Sequence, residues 1–231
     1  MKKFFAFILA AVMAAPMLQS CNKNDDQPDK QALVSIIPYW SPAGFACQLD
    51  NGETIYPGNM RCAYTVNQEN IQRAIVYFKE LSTPVTGFTY NADIFNIINV
   101  TTKDIETLTD AACDTLKGSL KINEAVIGGG YLNVDFNVSI SPYTSNQALT
   151  ISLVDNQING EPEWTDYYPL ELKFKSSVEI DPKQGQEVNS LACFYLGALA
   201  PDRLKSKGYL ISYKDYNGET QTITVQYNKQ D

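Results

Sequence analysis

KINEAVIGGGYLNVDFNVSI, from Lys121 to Ile140, carries the strongest secondary-structure signal in the chain. Every second residue after Tyr131 is apolar: Leu132, Val134, Phe136 and Val138. The residues between them are polar: Asn133, Asp135 and Asn137. Because successive side chains of a β-strand point to opposite faces, this alternation predicts a strand with one buried face and one face turned to water.

Three consecutive glycines, Gly128 to Gly130, precede this strand. A glycine-rich run indicates a phosphate-binding loop only when a Lys-Ser or Lys-Thr pair and a helix follow it. Here strand-like sequence lies on both sides. The three glycines therefore predict a tight turn or a bulge between two strands.

Short apolar runs continue downstream with turn signals between them, at spacings typical of a β-sandwich. They are Leu149–Val154, Leu170–Phe174, Leu191–Leu199, Tyr209–Tyr213 and Gln221–Tyr227. Asn217-Gly218 lies before the last run and predicts a closing hairpin. The pattern predicts an antiparallel β-sandwich over residues 120–231.

Upstream, five strand-like runs lie between residues 33 and 103 and predict a small β-barrel. They are Leu33–Trp40, Phe45–Leu49, Thr54–Tyr56, Gln72–Leu81 and Gly87–Val100. Asn51-Gly52 predicts a hairpin with a type I′ turn, in which both central residues have positive φ. Residues 104–119, rich in Thr, Asp and Ala, are interpreted as the connection between the two domains.

The first twenty residues have two lysines and a short apolar run, which is typical of a secretory signal peptide. Met17-Leu18-Gln19-Ser20-Cys21 resembles the lipobox of bacterial lipoproteins, in which the cysteine receives fatty acyl chains such as palmitate. The alternative is an ordinary secretory signal with a chance cysteine. Residues 21–32 are polar and predict a tether.

The tether also resembles the acidic export signal that directs Bacteroidetes lipoproteins to the cell surface. A plain solvated linker explains the same composition. We therefore expect a protein held in the outer membrane by lipid at Cys21, on the cell surface, with the periplasmic face as the alternative.

Charge and composition exclude several functions. The chain has 18 basic and 26 acidic residues, and without the first twenty residues the count is 16 against 26, a net charge of −10. Such a surface repels phosphate backbones, so no nucleic-acid partner is expected. The absence of histidine excludes Ser-His-Asp relays and His-ligated zinc.

Four cysteines follow Cys21, and none has the C-x-x-C spacing of a zinc or redox site. They are Cys47, Cys62, Cys113 and Cys193. In an exported chain they permit two disulfides, but Cys47 and Cys193 lie in apolar surroundings typical of buried free thiols. Both alternatives stay open.

Several segments together resemble the NigD-like lipoproteins: Leu49–Gly52, Ile55–Pro57, Lys121–Asn123, Ile127–Val134 and Asp215–Gly218. The most specific is IGGGYLNV, in which the family more often has a polar residue in place of Gly129. The resemblance implies an all-β protein with an OB-like barrel followed by an immunoglobulin-like sandwich. It implies a bacteriocin-associated or immunity-like role and supplies no catalytic residue, so we expect neither an enzyme nor a cofactor.

Aromatic residues are the candidate ligand contacts, because the chain has 14 tyrosines and surface aromatics stack on sugar rings. The densest clusters supply Tyr39, Trp40, Trp164, Tyr167 and Tyr168. The alternative is that these side chains fill the core. Asp114-Thr115-Leu116 resembles the acceptor motif for O-glycosylation of exported Bacteroidetes proteins, which makes Thr115 a candidate modification site.

Two functions follow from these expectations. The first is a lipid-anchored cell-envelope protein that binds a protein or a glycan. The second is a structural or accessory subunit of an outer-membrane complex.

Overall fold

The strands of the chain form two separate units that divide between Val100 and Thr101. The structure, a computed structural model, describes residues 27–66, 71–144, 147–178 and 180–227. Both units are built from β-strands, which confirms the predicted all-β fold.

The first unit is a closed five-stranded barrel with strand order β1-β2-β3-β5-β4, in which β4 pairs with β1. Its strands are β1 (Lys30–Pro38), β2 (Phe45–Leu49), β3 (Thr54–Met60), β4 (Gln72–Glu80) and β5 (Tyr90–Asn99). Alternate side chains fill the interior, and among the most buried are Val34, Ile36, Phe45, Cys47, Ile55, Ala74, Val76 and Ile94. The OB-like barrel is therefore confirmed.

The second unit is a sandwich of two sheets. One sheet has the order β14-β13-β11-β10-β7, and the other has the order β6-β12-β9-β8. The strands are β6 (Thr101–Asp104), β7 (Glu106–Leu108), β8 (Leu120–Gly128), β9 (Tyr131–Ile140), β10 (Leu149–Asn156), β11 (Tyr168–Ser176), β12 (Gln186–Tyr195), β13 (Gly208–Lys214) and β14 (Thr220–Gln226). A single-turn helix, α1 (Pro201–Leu204), precedes β13.

Not all neighbouring strands of the sandwich are antiparallel. The pairs β7–β10, β11–β13 and β6–β12 run parallel. Parallel neighbours cannot be joined by a tight turn, so they come from distant parts of the chain. This is why a count of consecutive strands predicts an antiparallel sandwich and misses these pairs.

The segments interpreted as tether and connection both contribute strands. Strand β1 begins at Lys30, before the predicted start of the barrel at residue 33. Strand β6 includes residues 101–103, which were predicted as the end of the barrel, and places them in one sandwich sheet. Strand β7 lies in the predicted connection and belongs to the other sandwich sheet. Strands β6 and β7 are short and polar, so they lack the apolar alternation that identifies a strand in sequence.

Strand β9 has one buried face as predicted, with its four alternate apolar side chains in the core. The prediction that Asn133 faces water is wrong, because only 3% of this residue is exposed. Asp135 and Asn137 are half-buried on the outer face. There their side-chain oxygens accept hydrogen bonds from the amide of Asn123 on β8, both at 2.8 Å.

The tight turn predicted at Gly128 to Gly130 is confirmed, whereas the type I′ turn predicted at Asn51-Gly52 is wrong. Gly129 and Gly130, with φ of +59° and +83°, form the two-residue turn between β8 and β9 and have the positive φ values of a type I′ turn. At the Asn-Gly hairpins only the glycines, Gly52 and Gly218, have positive φ. Each glycine N–H donates to the carbonyl three residues earlier, at 3.0 and 2.9 Å, so a three-residue loop replaces the predicted type I′ turn.

Candidate binding site

The loop between β1 and β2 presents two aromatic side chains at the surface of the barrel. Tyr39 is 48% exposed and Trp40 is 99% exposed. The loop is held by its own backbone, since Tyr39 N–H donates to the Gly44 carbonyl at 3.2 Å and the Ser41 hydroxyl donates to the Phe45 carbonyl at 2.9 Å. The tryptophan therefore sits on a short, hydrogen-bonded loop.

Two further aromatic residues join this loop. Phe88 comes from the β4–β5 loop, and Tyr56 comes from the outer side of β3, next to the fully buried Ile55. The Phe88 ring packs edge-on against Tyr39 at 5.3 Å and against Tyr56 at 5.2 Å between ring centroids. Together Tyr39, Trp40, Tyr56 and Phe88 form what we call the barrel aromatic cluster.

This cluster lies where OB-type barrels bind their ligands, which is at the β1–β2 and β4–β5 loops beside the outer face of β2 and β3. Edge-to-face packing fixes the Phe88 ring between its two neighbours. Trp40 makes no ring contact with them, and both faces of its indole ring are open to solvent. An indole in this state offers a stacking surface for a sugar or an aromatic group.

The sequence identified Tyr39 and Trp40 but not Tyr56 or Phe88. These residues are separated from Tyr39 by 17 and 49 positions in the chain, and only closure of the barrel brings them together. An outward aromatic on β3 was the one available signal for Tyr56. For Phe88 the signal is topological, because the strand order places the β4–β5 loop beside the β1–β2 loop.

The second predicted aromatic segment lies in the sandwich unit. Trp164 and Tyr167 are half-buried and line an open groove of about 800 Å³. Pro169 on β11 and Leu210 on β13 are register partners and line the same groove. It is the second surface in the described part of the chain where predicted aromatics meet solvent.

The prediction that Tyr168 contacts a ligand is wrong, because this residue is buried. It is 5% exposed, its ring packs against Trp164 at 5.6 Å, and its hydroxyl donates to Asp155 Oδ1 at 3.0 Å. Burial, and then the Asp155 carboxylate, raise the pKa of Tyr168 to about 12. The side chain belongs to the core because residues of β11 alternate inward from this position.

Thr115 lies on an exposed stretch after a 3₁₀ turn at Ala111–Cys113. The neighbouring Asp114 is half-buried and forms ion pairs with Lys117 at 2.7 Å and with Lys173 at 3.0 Å. The pKa of Asp114 is lowered, chiefly by the hydrogen bond from Lys117. Modification of Thr115 stays a prediction, and Cys21 lies outside the described residues.

None of the four remaining cysteines is joined in a disulfide. Cys47 and Cys193 are buried, and burial raises the pKa of Cys47 to about 12. Cys113 is exposed. Of the two alternatives left open by the sequence, the structure thus shows the one without disulfides.

Within the described ranges, no group of three or more Asp, Glu or Cys side chains is arranged to hold a metal ion. Among the same residues, no helix has the length and apolarity needed to cross a membrane.

Solved structures share the fold at low sequence identity. A protein from Parabacteroides distasonis described as toxin-related has a TM-score of 0.68 at 24% identity, covering 86% of this chain and 93% of its own. A NigD-like immunity protein from Bacteroides caccae has a TM-score of 0.58 at 16% identity, covering 84% and 92%. A protein from Bacteroides fragilis described as a lipoprotein has a TM-score of 0.61 at 8% identity, covering 87% and 99%.

Among curated proteins the chain finds no match. Family models, in contrast, match both units. The NigD-like N-terminal OB domain matches residues 41–100, and the NigD-like C-terminal beta sandwich domain matches residues 104–227. Because the sandwich match alone covers more than half of the chain and the barrel match adds the first unit, the protein belongs to the NigD-like family.

Proposed function

We propose that the protein is a lipid-anchored binding protein of the cell envelope, and that its ligand site is the barrel aromatic cluster. The observation that carries this proposal is Trp40, an almost completely exposed tryptophan at the ligand-binding loops of an OB-type barrel. The Trp40 side chain contributes nothing to the barrel core, so packing does not explain its position. Binding a ligand explains its position.

The chemistry of the cluster favours a ligand with flat apolar faces and polar edges. Sugar rings have this character, and so do aromatic side chains of a protein partner. The net charge of −10 outside the first twenty residues disfavours nucleic acid, although OB-type barrels bind it elsewhere. The ligand classes are therefore glycan and protein.

An immunity-like role is a specific form of this function. Similar folds include a NigD-like immunity protein and a protein described as toxin-related, which supports the idea at the level of fold. A lipid anchor at Cys21 would hold the barrel at the membrane, where an incoming bacteriocin must pass. In this form the ligand is a protein.

Substitution of Trp40 tests the site. Trp40→Ala removes a side chain without core contacts, so the fold and the melting temperature should not change. If Trp40 is a hot spot, its loss costs about 2 kcal/mol, or about 30-fold in affinity for the glycan or bacteriocin that the wild type binds. Phe88→Ala should weaken the same binding by disordering the cluster.

Tyr143→Ala is the matched control, because Tyr143 is 95% exposed and lies in the sandwich unit. It removes an equally exposed aromatic residue from a different surface. Glycan arrays and bacteriocin binding by the purified protein supply the readout. Equal binding by wild type and Trp40→Ala, or equal losses with Tyr143→Ala, would exclude the barrel site.

The groove at Trp164 and Tyr167 favours a second candidate function, a structural or accessory subunit of an outer-membrane complex. A large open groove in the second unit offers a surface for a stable protein partner. Pull-down from solubilised membranes separates the two functions. One stoichiometric partner that is lost with Trp164→Ala and retained with Trp40→Ala supports the subunit role.

A further inference from the structure

The two open sheets of the sandwich have four edge strands, and one of them differs from the others. The edges are β7 and β14 in one sheet and β6 and β8 in the other. An edge strand exposes unpaired backbone N–H and C=O groups that recruit further strands unless charge, proline or a bulge prevents it. Three of the four edges carry charged residues: Lys103, Asp104, Glu106, Lys121 and Glu124.

Strand β14 lacks these protections. Its sequence is TQTITVQ, without charge, proline or glycine, and five of the seven residues are β-branched. It pairs with β13 over its whole length without a register shift. Strand β8, on the same side of the sandwich, has a bulge at Asn123 in addition to its charges. Among the four edges formed by the described strands, β14 is thus the long and regular one that carries no protective residue of its own.

The hydrogen bonds at both ends of the β13–β14 hairpin show which backbone groups face outward. Asp215 N–H donates to the Glu219 carbonyl at 2.9 Å, and Tyr227 N–H donates to the Lys207 carbonyl at 2.8 Å. Antiparallel partners alternate between bonded and non-bonded pairs, so the odd-numbered residues of β14 bond to β13. The residues that direct their backbone groups to the open edge are Thr220, Thr222, Thr224 and Gln226.

These four residues are also exposed, while Val225 packs into the core and Ile223 is half-buried beside it. A new strand at this edge would therefore meet backbone groups that are already aligned and side chains that need no rearrangement. Polar, uncharged threonines would line the outer face of the junction.

We propose that β14 pairs antiparallel with β14 of a second copy of this chain, across a two-fold axis at Ile223. In this register Thr222 lies opposite Thr224 of the other copy, and Thr220 lies opposite Gln226. All four outward-facing residues find a bonded partner, and the two five-stranded sheets become one continuous sheet. An axis at Thr222 would match only three pairs and leave Gln226 unpaired.

A second copy fits this edge because the strand is self-complementary. A two-fold interface places the same patch on both subunits, and directly opposed threonines are a favourable cross-strand pair. The rest of the surface carries excess negative charge, which opposes association at a distance, but the strand itself carries none. Added salt should therefore strengthen the dimer by screening that repulsion.

Sedimentation of the mature chain, with Cys21→Ser to prevent lipidation, tests the proposal independently of any ligand. The wild-type strand should give a concentration-dependent dimer that increases with salt. Thr222→Pro removes one outward N–H and no bond to β13, so the fold should persist and the dimer should be lost. Thr222→Ala keeps that N–H and should remain dimeric.

Crosslinking tests the register. With Cys113→Ser to remove the exposed thiol, a chain with Thr222→Cys should crosslink under oxidised glutathione to a chain with Thr224→Cys faster than to itself. Bonded partners have Cα atoms about 5.5 Å apart, which a disulfide spans. Equal rates would refute the register. A wild type that stays monomeric at millimolar concentration in high salt, or a dimer that survives Thr222→Pro, overturns the proposal.

Discussion

The two partners of the ion pair between Arg73 and Asp50 should contribute unequally to the stability of the barrel: loss of Asp50 should cost more than loss of Arg73. Arg73 lies on β4 with no exposed side-chain surface, and its Nη2 contacts Asp50 Oδ1 at 2.7 Å and Oδ2 at 2.9 Å. Asp50 retains 29% exposure at the β2–β3 hairpin. Removal of Asp50 leaves a buried cation without this carboxylate, whereas removal of Arg73 leaves a carboxylate that water reaches.

The expected magnitude follows from this difference. Breaking a buried pair from one side costs about 3–5 kcal/mol. Asp50→Ala should fall near the lower end, about 3 kcal/mol, because Arg73 Nη1 still contacts the Ser35 hydroxyl at 3.1 Å. Arg73→Met fills the same volume without the charge and should cost less, about 1 kcal/mol. The double variant should be more stable than Asp50→Ala alone.

Two buried thiols allow the unfolding of each unit to be measured separately. Cys47 lies in the barrel core and Cys193 in the sandwich, and neither has exposed surface. Labelling of Cys47 against denaturant concentration reports the barrel, and Cys193 in the same sample is the internal control. The reasoning fails if Asp50→Ala costs no more than Arg73→Met, or if the double variant is the least stable of the three.

Four further predictions address chemistry and processing. Globomycin or Cys21→Ser should leave an unprocessed precursor, and normal processing of the variant would contradict lipidation. Protein from the native host should carry a glycan mass that Thr115→Ala removes; a mass of lipidated polypeptide alone refutes it. Native protein should label with a thiol reagent at Cys113 and not at Cys47, as checked by peptide mass. Because the pKa of Tyr168 is raised to about 12 from the ordinary value near 10, stability should be full below pH 10 and fall as pH rises toward 12, and Tyr168→Phe should reduce that fall in denaturant melts.

Regular alternation and turn residues predicted most of the strands. The apolar residues of β9 identified its core face because burial of one face imposes a period of two. The same rule failed at Asn133, which occupies a polar position of the pattern but is buried. Alternation distinguishes the two faces of a strand, and it does not reveal whether the second face is covered.

The short strands and the turn geometry could not be predicted from the sequence, and the reason is a different one. Strand β7 has three residues, and it is a strand because β10 offers it an edge, not because of its own composition. Asn-Gly permits both a type I′ turn and a three-residue loop that ends in a left-handed glycine. The number of residues between the paired strands selects the second form at Gly52, and this number depends on the register.

Solvent exposure separates the predicted aromatic residues that the fold needs for packing from the one that it does not use. Tyr168 is explained by the core, and half-buried Trp164 is explained in part by its packing against Tyr168. Trp40 has no such explanation, since the barrel interior closes without it and its indole ring lies almost wholly in water. Single exposed apolar residues are common on proteins, but Trp40 stands in a short hydrogen-bonded loop and directly follows Tyr39, which packs against Phe88. A loop position that is ordered, aromatic and unused by the fold is the one at which recognition of a ligand should be sought first.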